Sequence, residues 1–126
     1  YETYAWPNKN HPKFYNIVIK IITNLKPINL FFIIKDIEKK LGRKKTVINR
    51  PRICDIDILD YKGQIHMLYA NSNKLIIPHP RLHSRNFVLI PLFEIEKNWK
   101  HPLKKSKIHD LIGKLDNSSL YSIKQI

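Results

Sequence analysis

The chain has 126 residues, 43% of them apolar, with 23 lysines and arginines against 10 aspartates and glutamates, a formal net charge of +13. That length is enough for one domain with its own core. It holds no run of about 18 apolar residues, no visible secretory leader, and a single cysteine that cannot close an internal disulfide, so the expectation is a cytoplasmic protein with anionic partners. The lysine-, isoleucine- and asparagine-rich composition also looks like coding bias, and Lys100, Lys104, Lys105 and Lys107 read as a solvated face.

The first residues, from Tyr1 to Pro12, read as a short extended piece running into a proline-bounded polar loop. From Phe14 to Leu25 the β-branched and aromatic run predicts one long strand, with Asn16, Val18, Lys20 and Ile22 on one face and Ile17, Ile19 and Ile21 on the other. Pro27 then starts a helix in which Leu30, Phe31, Ile34, Ile37, Glu38 and Leu41 recur at helical spacing until Gly42 ends it. Gly42-Arg43-Lys44-Lys45-Thr46 is a basic loop of the kind that can close over an anion, or a surface loop favoured by the helix C-terminal dipole.

The next stretch, Asn49-Arg50-Pro51-Arg52-Ile53-Cys54-Asp55-Ile56-Asp57-Ile58-Leu59, is expected to be the active site. On a strand, Asp55 and Asp57 project from one face while Cys54, Ile56 and Ile58 project from the other. The Cα atoms of the two aspartates then sit about 6 to 7 Å apart, near enough for the carboxylates to clasp one or two hard cations such as magnesium. Arg52, three residues upstream, helps to offset the like charges. Cys54 is expected to be a small buried apolar group. Aspartates on such a strand could equally face water with no ligand.

The strand is expected to continue to Tyr61, turn at Lys62-Gly63 into a hairpin returning over Ile65 to Tyr69, and turn again at Asn71-Ser72-Asn73. His79, Arg81, His83 and Arg85 lie in a proline-stiffened cationic loop suited to phosphate contacts. Pro78 and Pro80 argue against a helix there, and so against zinc on His79 and His83. Ser84 is expected to cap a helix that packs Phe87, Leu89, Ile90, Leu92, Phe93 and Ile95, and a last short helix is expected at about Ser106 to Leu115.

Two segments together carry a family resemblance. Arg50-Pro51-Arg52-Ile53-Cys54-Asp55-Ile56-Asp57-Ile58-Leu59 and, twenty residues on, Ile77-Pro78-His79-Pro80-Arg81-Leu82-His83-Ser84-Arg85-Asn86-Phe87 running to Ile95 resemble the paired motifs of the 6-hydroxymethyl-7,8-dihydropterin pyrophosphokinase family. The similarity runs from Tyr1 to about Pro102. It implies an α+β, ferredoxin-like antiparallel sheet covered by helices, in a single domain over residues 1–126. It further implies transfer of pyrophosphate from ATP to the pterin hydroxymethyl group in folate biosynthesis, with AMP released. Carried over by the resemblance, Asp55 and Asp57 hold two Mg2+ ions, and Arg52, His79 and Arg85 hold the ATP phosphates. Arg43 and Lys45 match a mobile loop that closes over ATP, and Thr3, Phe14, Asn16 and Phe87 contact the pterin. The expected partners are these small molecules, with no nucleic acid, no membrane and a monomeric state.

Two departures accompany the match. The family opens with a Gly-Ser-Asn strand and a helix ahead of the segment that begins here at Tyr1, so the chain is expected to be a fragment of a longer one. Asn49 stands where the family often has an aromatic residue. A basic nucleic-acid-binding module and an inactive relative remain as alternative readings.

Overall fold

Pro27 enters helix α1, Pro27–Lys40, at its first turn, where a missing N–H costs nothing. The helix buries Leu30, Phe31, Ile34 and Glu38 along one stripe, carries Lys39 and Lys40 in its last turn, and stops before Gly42, whose φ of +92° suits glycine. Ile37 and Leu41, expected on the same stripe, are exposed. This computed structural model describes residues 1–4, 12–42 and 53–126, and the chain divides into two compact units, 1–21 with 80–126 and 22–79.

In the unit spanning 22–79, α1 accompanies a hairpin of β3, His66–Ala70, and β4, Asn73–Ile77, paired antiparallel in the register Leu68↔Leu75 and His66↔Ile77. Asn71 and Ser72 both adopt positive φ, 48° and 63°, the two-residue turn whose twist matches that of the strands it joins. Phe31, Leu75 and Ile77 form a buried cluster, with Ile28, Ile58, Tyr61 and Leu68 packed against it.

Lys62 and Gly63 do form a turn, both at positive φ, closed by Gln64 N–H donating to Tyr61 O at 2.9 Å. The expected hairpin across it is corrected: β3 pairs with β4, and residues 53–61 enter no ladder among the described residues. Leu75 and Ile77 of β4 are buried against Phe31, while Ile58 and Tyr61 of the preceding segment pack on the same cluster through side chains only partly buried.

The other unit holds a three-stranded antiparallel sheet, in which β1, Glu2–Thr3, lies between β2, Phe14–Tyr15, and β5, Ile123–Lys124. The long strand expected from Phe14 to Leu25 is thus reduced to two residues plus one further bond, Asn16 N–H to Tyr1 O at 2.7 Å. The chain beyond it has the side chains of a strand but no ladder partner among the described residues.

Helix α2, Asn86–Ile95, packs against α3, Ile108–Gly113, and buries Leu82, Leu89, Ile108 and Leu111. The cap expected from Ser84 is corrected. Ser84 ends a 3-10 turn, Leu82–Ser84, its hydroxyl donates back to Arg81 O, and Arg85 takes the cap position without a side-chain bond. Between α2 and α3, buried His101 accepts the N–H groups of Leu103 and Lys104 on Nδ1, both at 3.2 Å, which assigns its proton to Nε2. Asp116 caps α4, Asn117–Tyr121, by accepting Ser119 N–H at 2.7 Å, and the Ser118 and Ser119 donors hold its carboxyl below the usual aspartate value. The architecture is therefore α+β with antiparallel sheets.

Candidate active site

Asp55 and Asp57 lie on an irregular segment whose exposure still alternates as a strand's would: both aspartates are exposed, and Cys54, Ile56 and Ile58 are partly buried. The two carboxylates therefore share the open side, as the alternation predicts. Cys54 is a free thiol.

Two polar contacts hold this segment. Leu59 O accepts the backbone N–H of His79 at 3.0 Å, and the backbone N–H of Ile56, between the two aspartates, donates to Glu38 Oε1 at 2.7 Å. The first contact sets His79 beside the aspartates, with Nε2 3.7 Å from Asp57 Oδ2. Glu38 is completely buried, and its Oε2 receives Lys35 Nζ at 2.8 Å. That ammonium also sits over the Phe31 ring, 5.4 Å from its centroid. The sequence reading placed Glu38 on the apolar stripe of α1 without a role. The signals that could have found it are its match to a glutamate of the family's helix, from which no direct role was drawn, and a carboxylate standing on a buried helical stripe.

Among the described residues no three His, Cys, Asp or Glu side chains cluster as a closed metal cage. Two neighbouring carboxylates open to solvent are instead the donor set that suits Mg2+, which keeps waters and takes much of its shell from substrate phosphates.

In the other unit, Asn16 Nδ2 donates to Thr3 Oγ1 at 2.9 Å. That bond joins two of the residues expected at the pterin, Thr3 on β1 and Asn16 just past β2, with Phe14 opposite Thr3 in the ladder. Arg85 lies over Phe87, its guanidinium carbon 5.4 Å from the ring centroid. His83 and Ser84 line a cleft of about 550 Å3 with Lys104, Ser106, Lys114, Asp116 and Ser119. Burial, together with nearby Lys104, pushes the His83 imidazole below its usual pKa, partly offset by the Pro80 carbonyl. None of the residues expected to hold phosphate, metal or pterin lines that cleft. Arg43, Lys45 and Arg52, expected at the phosphates, and Asn49 lie outside the described residues. No helix among the described residues is long and apolar enough to cross a membrane.

The model of the family described as 7,8-dihydro-6-hydroxymethylpterin-pyrophosphokinase (HPPK) matches residues 1–97. The chain is 42% identical over 115 residues to the folic acid synthesis protein fol1 of Pneumocystis carinii, an overlap covering 91% of this chain and 15% of that protein. It is 40% identical over 110 residues to the 2-amino-4-hydroxy-6-hydroxymethyldihydropteridine pyrophosphokinase of Aquifex aeolicus, covering 87% of this chain and 66% of the relative. With the protein of that same name from Bacillus subtilis it shares 38% identity over 95 residues, 75% of this chain and 54% of the relative. The match thus spans a small part of the fungal protein and at most about two thirds of the bacterial ones. With three quarters of its length inside the family match, and with the aspartate pair and His79 within it, the chain belongs to the 7,8-dihydro-6-hydroxymethylpterin-pyrophosphokinase family.

Proposed function

We propose that this chain forms the pyrophosphokinase domain, residues 1–126, of an enzyme that transfers pyrophosphate from ATP to 6-hydroxymethyl-7,8-dihydropterin in folate biosynthesis. In that reaction the hydroxymethyl oxygen bonds to the β-phosphorus and the bond from the α-phosphate's bridging oxygen breaks. AMP leaves with the electron pair, and the hydroxyl proton passes to solvent. The observation that carries this reading is the exposed Asp55–Asp57 pair, with its segment bonded to Glu38 and His79 close by, inside the family match.

Asp55 and Asp57 are assigned to two magnesium ions. When bound, these supply Lewis acidity that offsets the charge of the triphosphate. His79 is assigned to a phosphate oxygen through Nε2, as are the guanidiniums of Arg52 and Arg85. Arg43 and Lys45 are assigned to closure over ATP. The pterin role of Thr3 and Asn16 is supported by their mutual hydrogen bond, which orients the Asn16 amide. Phe14 and Phe87 offer flat faces for stacking. Roles that involve Arg85, Phe87 and the 1–21 segment rest on the family resemblance.

The same reading carries a ferredoxin-like sheet to which the family's Gly-Ser-Asn strand and following helix contribute, a monomeric state, a cytoplasmic location and no nucleic-acid partner. AMP release from ATP, Mg2+ and hydroxymethyldihydropterin is the test, run on this chain, on a version carrying the Gly-Ser-Asn strand and helix upstream, and on Asp57→Ala of each. AMP formation abolished by Asp57→Ala is the expected result. Its absence from every folded version, with DNA retention that falls steeply with salt, would instead favour the basic nucleic-acid module.

A further inference from the structure

The backbone between the two aspartates is held by a side chain. In a sheet the N–H of Ile56 would pass to a neighbouring strand, yet residues 53–60 join no ladder among the described residues, and the acceptor is Glu38 of α1 at 2.7 Å. Glu38 follows Leu30 and Ile34 at four-residue steps on the buried stripe of that helix. A hydrophobe at this position would pack without penalty, whereas an ionised carboxylate taken out of water costs several kcal/mol unless its oxygens are satisfied. Both oxygens have partners, Oε1 the Ile56 N–H and Oε2 the Lys35 ammonium. The charge is therefore tolerated where it meets the backbone of the Asp55–Asp57 segment.

We propose that Glu38 is a positioning residue for the aspartate pair: by holding the peptide of Ile56 it sets the direction in which Asp55 and Asp57 present their carboxylates to a divalent cation. Lys35 orients Glu38 in turn, so the chain of support runs from the core at Phe31 through Lys35 and Glu38 to Ile56. The inference rests on the cation-binding reading proposed above. Groups that hold a metal's ligands in place typically cost about 10- to 100-fold in metal affinity when removed.

The test measures Mn2+ affinity, by electron paramagnetic resonance in the presence of α,β-methylene-ATP, together with hydrogen exchange at the Ile56 amide. Three variants of the chain are compared with the parent. Glu38→Leu removes the acceptor, Glu38→Gln keeps an oxygen for Ile56 while removing the charge, and Lys35→Met leaves Glu38 in place. The expected results are a loss of about 10- to 100-fold in Mn2+ affinity for Glu38→Leu, with Ile56 exchange accelerated and the β4 amides still protected, and recovery to within about threefold for Glu38→Gln. Lys35→Met is expected to fall between them.

A folded Glu38→Leu with parental Mn2+ affinity would overturn the proposal. If Glu38→Leu does not fold, Glu38→Gln decides: parental affinity with a protected Ile56 amide supports the anchor, and a tenfold loss with that amide still protected overturns it. If the parent chain binds no Mn2+, the same variants are made in the version carrying the Gly-Ser-Asn strand and helix upstream, and no Mn2+ affinity in that folded version either would defeat the pyrophosphokinase reading itself.

Discussion

Replacing Ile77 by alanine should be the most damaging single truncation on the β3–β4 hairpin. Ile77 is fully buried and clusters with Phe31 and Leu75. Three carbons are lost, which at about 0.8 kcal/mol each gives roughly 2.4 kcal/mol of transfer free energy. The cavity left against Phe31 raises this to about 3 to 4 kcal/mol, within the usual range of about 2 to 5 for such truncations. Ile77→Val, one carbon smaller, should cost about 0.5 to 1.5 kcal/mol. Met67 stands opposite Ile76 in the ladder and is 60% exposed, so Met67→Ala should stay within about 0.5 kcal/mol. Urea unfolding followed by far-UV circular dichroism resolves these three values. For a chain of this size, about 1 kcal/mol corresponds to roughly 3 to 6 °C in Tm, so Ile77→Ala should melt at least about 10 °C below the parent. A cost below about 1 kcal/mol, or a Met67→Ala as damaging as Ile77→Ala, would refute the placement of the core. The consequence for function is direct, because His79 follows Ile77 by two residues and bonds through its backbone to Leu59, the continuation of the aspartate segment.

Asp55→Asn and Asp57→Asn should each cut AMP formation by at least about 100-fold while leaving the unfolding midpoint near the parent's, since both carboxylates are exposed; retained activity would remove the pair from the chemistry. Asn86→Ala should destabilise by about 2 to 3 kcal/mol, because the buried amide donates to Ser119 O at 2.5 Å and Ser122 Oγ at 3.0 Å and accepts Phe87 N–H at 2.7 Å; urea midpoints check it. His83 has a lowered folded-state pKa, so below its ordinary value near 6.5 the unfolded chain takes up a proton that the folded one resists. Stability should therefore fall as pH drops from about 6.5 towards the folded-state value, and His83→Gln should flatten that part of the profile between pH 7.5 and 5.5; an unchanged slope would show that His83 does not titrate there. Asn16→Ala removes the bond to Thr3 Oγ1 and should raise KM for the pterin more than it lowers kcat in steady-state kinetics. An effect on kcat alone would contradict a binding role.

Helix α1 was readable because its signals are local. Pro27 and Gly42 bracket it, and Leu30, Phe31 and Ile34 repeat at the helical period. The Asn71-Ser72 turn was readable for the same reason. Strand β4 was not, because Leu75, Ile76 and Ile77 are a short apolar run that periodicity cannot assign, and only contact with Phe31 settles it. β5 lies over a hundred residues from its partner β1 and has no local signature. At α2, Asn86 rather than Ser84 meets an N–H of the first turn, that of Phe87, through its side-chain oxygen. The choice depends on Ser119 and Ser122 holding that amide from 33 and 36 residues away.

The aspartate segment and the run after Phe14 show why a strand's pattern is weaker information than a helix's. Period-two alternation states which side chains share a face, and it holds at the aspartate segment, where Asp55 and Asp57 are exposed together; after Phe14 it lapses, because Ile17, Ile19 and Ile21 are exposed at 79%, 70% and 54% and Ile22, expected on the other face, is exposed as well. A helix satisfies its own backbone, so its pattern nearly suffices to make it. A strand's N–H and C=O groups need acceptors and donors from elsewhere, which no pattern within the run can supply. At Ile56 that need is met by a buried carboxylate eighteen residues upstream. The family motif identifies the two aspartates, while the group that holds the peptide between them lies on a helix outside that motif, and only the fold connects the two.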